Sequence, residues 1–124
     1  MRHLAGSPTS FLVTGFSWLL ICSLLGLAIL IGLVRGTPLP SWLKLIHVHG
    51  VLIGGLVQLM IGGLLAWISS QQDRQQSDSR LWLFILLNGS MIGLMAGFVL
   101  QNMMIVGVAG IVITAAIASL AGVA

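Results

Sequence analysis

Four long apolar runs, Phe11 to Val34, Leu45 to Ile68, Leu81 to Leu100 and Met103 to Val123, take up most of this chain. Each is close to the ~20 residues that a helix needs to cross ~30 Å of hydrocarbon. In hydrocarbon every backbone N–H and C=O must be bonded internally, so only helices and closed barrels span a membrane. A barrel reads as short strands of alternating polarity, and these runs do not alternate. The expectation is an all-α protein: an integral membrane four-helix bundle of antiparallel up-down topology. It would form a single transmembrane domain over residues 1–124, with spans at about 11–34, 45–68, 81–100 and 103–123 and a polar loop at 69–80.

Composition narrows the function classes. Of the 124 residues 58% are hydrophobic and 6% charged, more apolar surface than a water-soluble domain of this size can bury. The formal charge of +3 comes from five scattered basic residues against two acidic ones, too few for a nucleic-acid surface. The partners expected are the lipid bilayer and either further copies of the chain or other membrane subunits. Cys22 is the only cysteine; it excludes an internal disulfide or a thiolate cluster and reads as a small packing residue. There is no P-loop, nucleophile–base pair or pair of carboxylates, so hydrolysis and phosphoryl transfer are not expected and no catalytic residue is assigned. No Asp, Glu, Lys or Arg lies inside an apolar run, which places a channel or transporter built by oligomerisation last among the readings.

The connections differ in character. Arg35 to Ser41 holds Pro38 and Pro40, which cannot continue a helix, and Trp42 with Lys44 forms an interfacial pair. Gln101-Asn102 is so short that the last two helices should form a tight hairpin. Arg2 before an apolar segment imitates a secretion signal, but the segment outruns a signal h-region and no small-x-small site follows before Arg35, so it reads as a retained span. Arg2, Arg74 and Arg80 on one side outnumber Arg35 and Lys44 on the other, a positive-inside vote for cytoplasmic termini.

Glycine is abundant, with 16 in all. Gly50 with Gly54 and Gly93 with Gly97 recur at helical spacing, and Ala96, Gly107 and Gly110 add small sites. Such residues let backbones approach closely where lipid competes for every apolar side chain; the functional alternative is a flat face that admits a planar cofactor. Gln58, Asn88 and Ser90 are the mid-membrane polar groups and read as interhelical hydrogen-bonding residues.

The segment Ile46-His47-Val48-His49-Gly50 carries the candidate site. Ionisable groups in a membrane mark function by default, and histidine binds haem iron, copper and zinc. The structural alternative is an interfacial histidine satisfied by water or a loop carbonyl. Residues two apart on a helix point about 200° away from each other, so one metal does not easily take both. His47 shares an α-helical stripe with Gly50, Gly54 and Gln58; His49 shares one with Ile53, Leu56 and Met60.

His47-x-His49 followed by Gly54, opening a span after a proline-containing loop, resembles the second helix of haem–copper oxidase and nitric oxide reductase catalytic subunits. It is also similar to small four-span relatives of that subunit and to NnrS-type haem membrane proteins. In a second alignment His49-Gly50-Val51-Leu52-Ile53 resembles the H-G-x-x-M segment whose histidine binds low-spin haem. The likeness covers about Ile46 to Gly63. It implies a membrane-embedded haem protein, with haem b as cofactor, acting in electron transfer, gas sensing or respiratory-complex assembly in a prokaryotic inner membrane. The alternative is a cofactor-free accessory subunit of a larger membrane complex. The resemblance carries the metal-ligand role to His47 or His49, and a cofactor-binding role to both with Gly50, Gly54 and Gln58. The third and fourth spans have no histidine, so a complete oxygen- or nitric-oxide-reducing centre within one chain is excluded. A second copy, a partner subunit or one of Met60, Met91, Met95, Met103 and Met104 would supply the sixth ligand, or the iron would stay five-coordinate.

Overall fold

The computed structural model describes residues 6–70 and 77–123, and all regular structure among them is helical. In order the elements are α1 (Pro8–Val34), α2 (Ser41–His49), a π-helical segment (Gly50–Val57), α3 (Gln58–Ser69), α4 (Ser77–Val99) and α5 (Met103–Val123). α2, the π segment and α3 run on as one rod, Ser41–Ser69, so four helices among the described residues are long and apolar enough to cross a membrane. The bundle predicted from the apolar runs is present at that level.

Most helices outrun their apolar segments because local chemistry sets the ends. Ser7 caps α1, its side chain accepting the Ser10 N–H, and Pro8 follows where a missing N–H costs nothing. α2 begins directly after Pro40, four residues earlier than its apolar run, so Trp42 and Lys44 are helical. α4 likewise starts at Ser77 instead of Leu81. Residues 71–76 of the polar loop, Arg74 among them, and Arg2 lie outside the described residues.

The helix ends repeat one device. After α1, Gly36 adopts φ 71°, and the Thr37 N–H returns to the Gly32 carbonyl at 2.9 Å. After α4, Gln101 takes the same left-handed position at φ 53°, and the Asn102 N–H reaches the Gly97 carbonyl at 2.9 Å. Both are Schellman closures, which satisfy carbonyls that the helix end leaves free. Asn102 then starts the next helix, its Oδ1 accepting the Met104 and Ile105 N–H groups at 3.1 and 3.3 Å. One residue thus closes α4 and caps α5, which is how so short a connection turns the chain.

Packing is sequential. α1 lies along the whole second span, α2 and the π segment touch α4, and α4 lies against α5, which has no comparable contact with α1 or the second span. The buried core runs through Phe11, Ile61, Leu65, Leu87, Met91 and Ile113. Phe11 meets Phe84 edge to face, with centroids 5.1 Å apart, the arrangement favoured by ring quadrupoles. The outer face of α1 leaves Val13, Phe16, Leu20, Leu24 and Leu27 exposed.

Candidate functional site

The seam between α1 and the second span is built on glycine. A Cβ at Gly54 would lie 2.7 Å from Trp18 Cγ, at Gly62 2.9 Å from Leu12 Cγ, and at Gly15 3.0 Å from Leu59 Cγ. Gly50 faces Cys22, and Gly55 faces Leu19, with no space for a methyl group. Glycines of each span therefore receive larger side chains of the other, Gly50, Gly54, Gly55 and Gly62 from α1 and Gly15 from the second span. The notches at Gly50 and Gly54, one expected use of which was a planar cofactor, are filled by Cys22 and Trp18.

His47 extends this seam. Its imidazole lies over Gly26, where a Cβ would come within 2.6 Å of Cε1. Nδ1 stands 2.7 Å from the Cys22 carbonyl oxygen. A carbonyl only accepts, so Nδ1–H is the donor and the proton is on that nitrogen. The bond ties the second span to α1 and leaves Nε2 with a free lone pair.

His49 faces the other way. Its ring is 5.2 Å from that of Phe98 on α4, tilted by 53°, and its Nδ1–H donates to the Leu45 carbonyl at 2.8 Å, within its own helix turn. Among the described residues Nε2 again has no hydrogen-bond partner. The divergence expected for a two-residue step holds: one imidazole faces α1 and the other α4, so they do not converge on one ion. Among the described residues no three His, Cys, Asp or Glu side chains group as a metal site.

Gln58 departs from the α-helical stripe. It is fully buried, and its Nε2–H donates to Asn88 Oδ1 on α4 at 2.8 Å. Asn88 Nδ2–H in turn donates to the Phe84 carbonyl at 2.9 Å, while Gln58 Oε1 has no partner among the described residues. Gln58 thus faces α4 although His47 faces α1. The eight-residue π segment between them explains the difference: its i→i+5 bonding turns the chain less per residue than an α-helix does, so the stripe drifts. Ser90 bonds the Leu86 carbonyl of its own helix, not a neighbour.

Of the methionines, Met91 is buried, Met95 borders Gly50, and Met60, Met103 and Met104 are exposed. Sequence reasoning took Lys44 for an interfacial anchor and passed over Gly26. Both line an open cleft of about 240 Å³ between α1 and α2, with Ile29, Leu30, Leu33, His47 and Val48. The three-residue step from Lys44 to His47 was the available signal. A larger groove of about 570 Å³ runs between α4 and α5 past Gly89 and Gly93, and its lining is apolar but for Ser90. Comparison with protein-family models, curated proteins and solved structures gives no match.

Proposed function

We propose that this chain is a haem-binding protein of the haem–copper oxidase-like type, with His49 as the axial ligand, acting in electron transfer, gas sensing or assembly of a respiratory complex. The observation that carries it is the unequal employment of the two imidazoles. His47 has a structural task, joining two helices through Cys22. His49 hydrogen-bonds only within its own turn, so a half-buried ring that packs beside Phe98 keeps Nδ1–H on a carbonyl and has no hydrogen bond at Nε2 among the described residues. That is the arrangement of a metal-ligating histidine, whose second nitrogen is held by a carbonyl or carboxylate. His49 Nε2 would hold the iron of a haem b, which would supply redox or gas-binding chemistry there. The filled notches at Gly50 and Gly54 leave no room for a porphyrin between α1 and the second span; a second copy, another subunit or a methionine would complete the coordination, or the iron would stay five-coordinate.

The same reading takes the protein to be an antiparallel, up-and-down bundle in a prokaryotic inner membrane with cytoplasmic termini. Support comes from the seam, where Leu12, Gly15, Trp18 and Gly26 meet Gly62, Leu59, Gly54 and His47 in opposite numbering order. The exposed apolar face of α1 suits hydrocarbon and exceeds what water tolerates in a monomer.

Titration of purified protein with haem, followed in the Soret region, tests the assignment. Saturable one-site binding that His47→Ala keeps and His49→Ala loses is expected; equal binding by both variants would refute it. A cofactor-free accessory subunit is the second reading, favoured because Cys22, Trp18 and Leu19 occupy the notches at Gly50, Gly54 and Gly55. It predicts no saturable binding in any variant.

A further inference from the structure

Three helix ends converge where α3 stops and α4 starts. Arg80 Nη1–H donates to Ser69 Oγ at 2.8 Å, joining the last residue of α3 to the first turn of α4. Gly6, just before α1, packs so closely on the α4 backbone that an added Cβ would stand 2.7 Å from Leu81 Cα. One layer deeper, Phe11 meets Phe84 edge to face and borders Gly62, so the three helices stay in step from there outward. Counting inward from the Ser69–Arg80 bond, Trp67 is two residues back along α3 and Trp82 two residues on along α4. The two rings therefore lie at one level to within about a helix turn.

Both indoles are turned out of the bundle, Trp67 65% and Trp82 64% exposed. Each ends an apolar stripe that faces outward at helical spacing: Met60, Leu64 and Trp67 on α3, and Trp82, Ile85 and Leu86 on α4. Past the rings the chain turns polar, with Ser69, Ser70 and Arg80 and, between them, the sequence from Gln71 to Ser79. A partner in water would leave the rest of each stripe uncovered, whereas hydrocarbon covers the whole stripe and stops where the polar residues begin. Indole suits that boundary, having a wide apolar body and one N–H donor. We propose that Trp67 and Trp82 form an aromatic rim that seats this end of the bundle at the boundary between acyl chains and lipid headgroups, with the Arg80 cation at the phosphate level. Among the described residues exposed tryptophans occur only here, since Trp18 and Trp42 are half-buried against the core. The rim rests on the bilayer part of the reading above and is independent of haem.

The test uses the full chain, labelled with fluorotryptophan and reconstituted in phosphatidylcholine bilayers. Each ring gives its own fluorine resonance, and Trp67→Phe and Trp82→Phe, both substitutions of exposed side chains, identify theirs by deletion. Relaxation is compared for a nitroxide just below the lipid ester groups, a nitroxide at the acyl-chain ends and a water-soluble gadolinium chelate. Trp67 and Trp82 should both relax at least about threefold faster with the shallow nitroxide than with the deep one, since half of a ~30 Å core separates the two probes. Trp18, at the Gly54 notch midway along the span, should show the reverse order. In bilayers of longer acyl chains Trp67 and Trp82 should keep the shallow preference, because an anchored end holds its level against mismatch. A Trp67 or Trp82 resonance that relaxes most with the deep nitroxide or with the gadolinium chelate overturns the rim, as does loss of the shallow preference in the thicker bilayer. If Trp18 follows the deep nitroxide while either outer tryptophan fails to follow the shallow one, the rim alone is refuted; if no lipid probe relaxes Trp18, the bilayer reading falls with it.

Discussion

Replacing Gly54 by alanine tests whether close approach of α1 holds the first two spans together. The new Cβ would lie 2.7 Å from Trp18 Cγ, 2.9 Å from Cδ2 and 3.2 Å from Cβ. These atoms sit at the root of a rigid ring, so no bending of a flexible tip relieves the contact. Overpacking of this kind costs about 1–3 kcal/mol, and the better helix propensity of alanine returns about 1 kcal/mol, leaving a net loss of about 0–2 kcal/mol. Gly63 is the control. It lies on the same rod with no atom within 4 Å of an added Cβ, so Gly63→Ala should be neutral or stabilising. Reversible unfolding in mixed micelles measures both, and their difference isolates the clash at about 1–3 kcal/mol. Trp18→Ala should relieve Gly54→Ala in a double-mutant cycle. Equal stability of the two single variants would refute the glycine seam.

Other expectations follow from single residues. Asn102→Ala removes the cap of α5 and should cost about 1 kcal/mol in the same assay. Gln101→Gly should stabilise by about 1 kcal/mol, since a side chain at φ 53° is strained where glycine is not. Asn88→Leu strands Gln58 Nε2 in the core and should cost about 1–3 kcal/mol, whereas joint replacement of Gln58 and Asn88 by leucine should be much milder. His47→Ala should destabilise by about 0.6 kcal/mol, the average of an interhelical bond in a membrane, with His49→Ala close to neutral.

The four helices were legible because hydrocarbon leaves a chain so few options. Leu81 to Leu100 and Met103 to Val123 mark helices by length alone, and Gln101-Asn102 announces the turn between them. Helix ends were less legible, since Pro40 and the Ser77 region start helices by local geometry and not by hydropathy. The divergence of His47 and His49 followed from helical phase. The position of Gln58 did not, because nothing in Gly50 to Val57 signals i→i+5 bonding beyond a glycine content that an α-helix accommodates equally well. Gly26 was silent for a related reason: its role is to leave room for a ring 21 positions further along the chain.

The central claim, that His49 and not His47 holds a haem iron, is met most directly by the visible spectrum of protein purified from haem-supplied cells, air-oxidised and then dithionite-reduced. A Soret band that shifts on reduction in the wild type and in His47→Ala, and is lost in His49→Ala, is the predicted result; a wild type with no Soret band, or a His49→Ala variant that keeps it, would contradict the assignment.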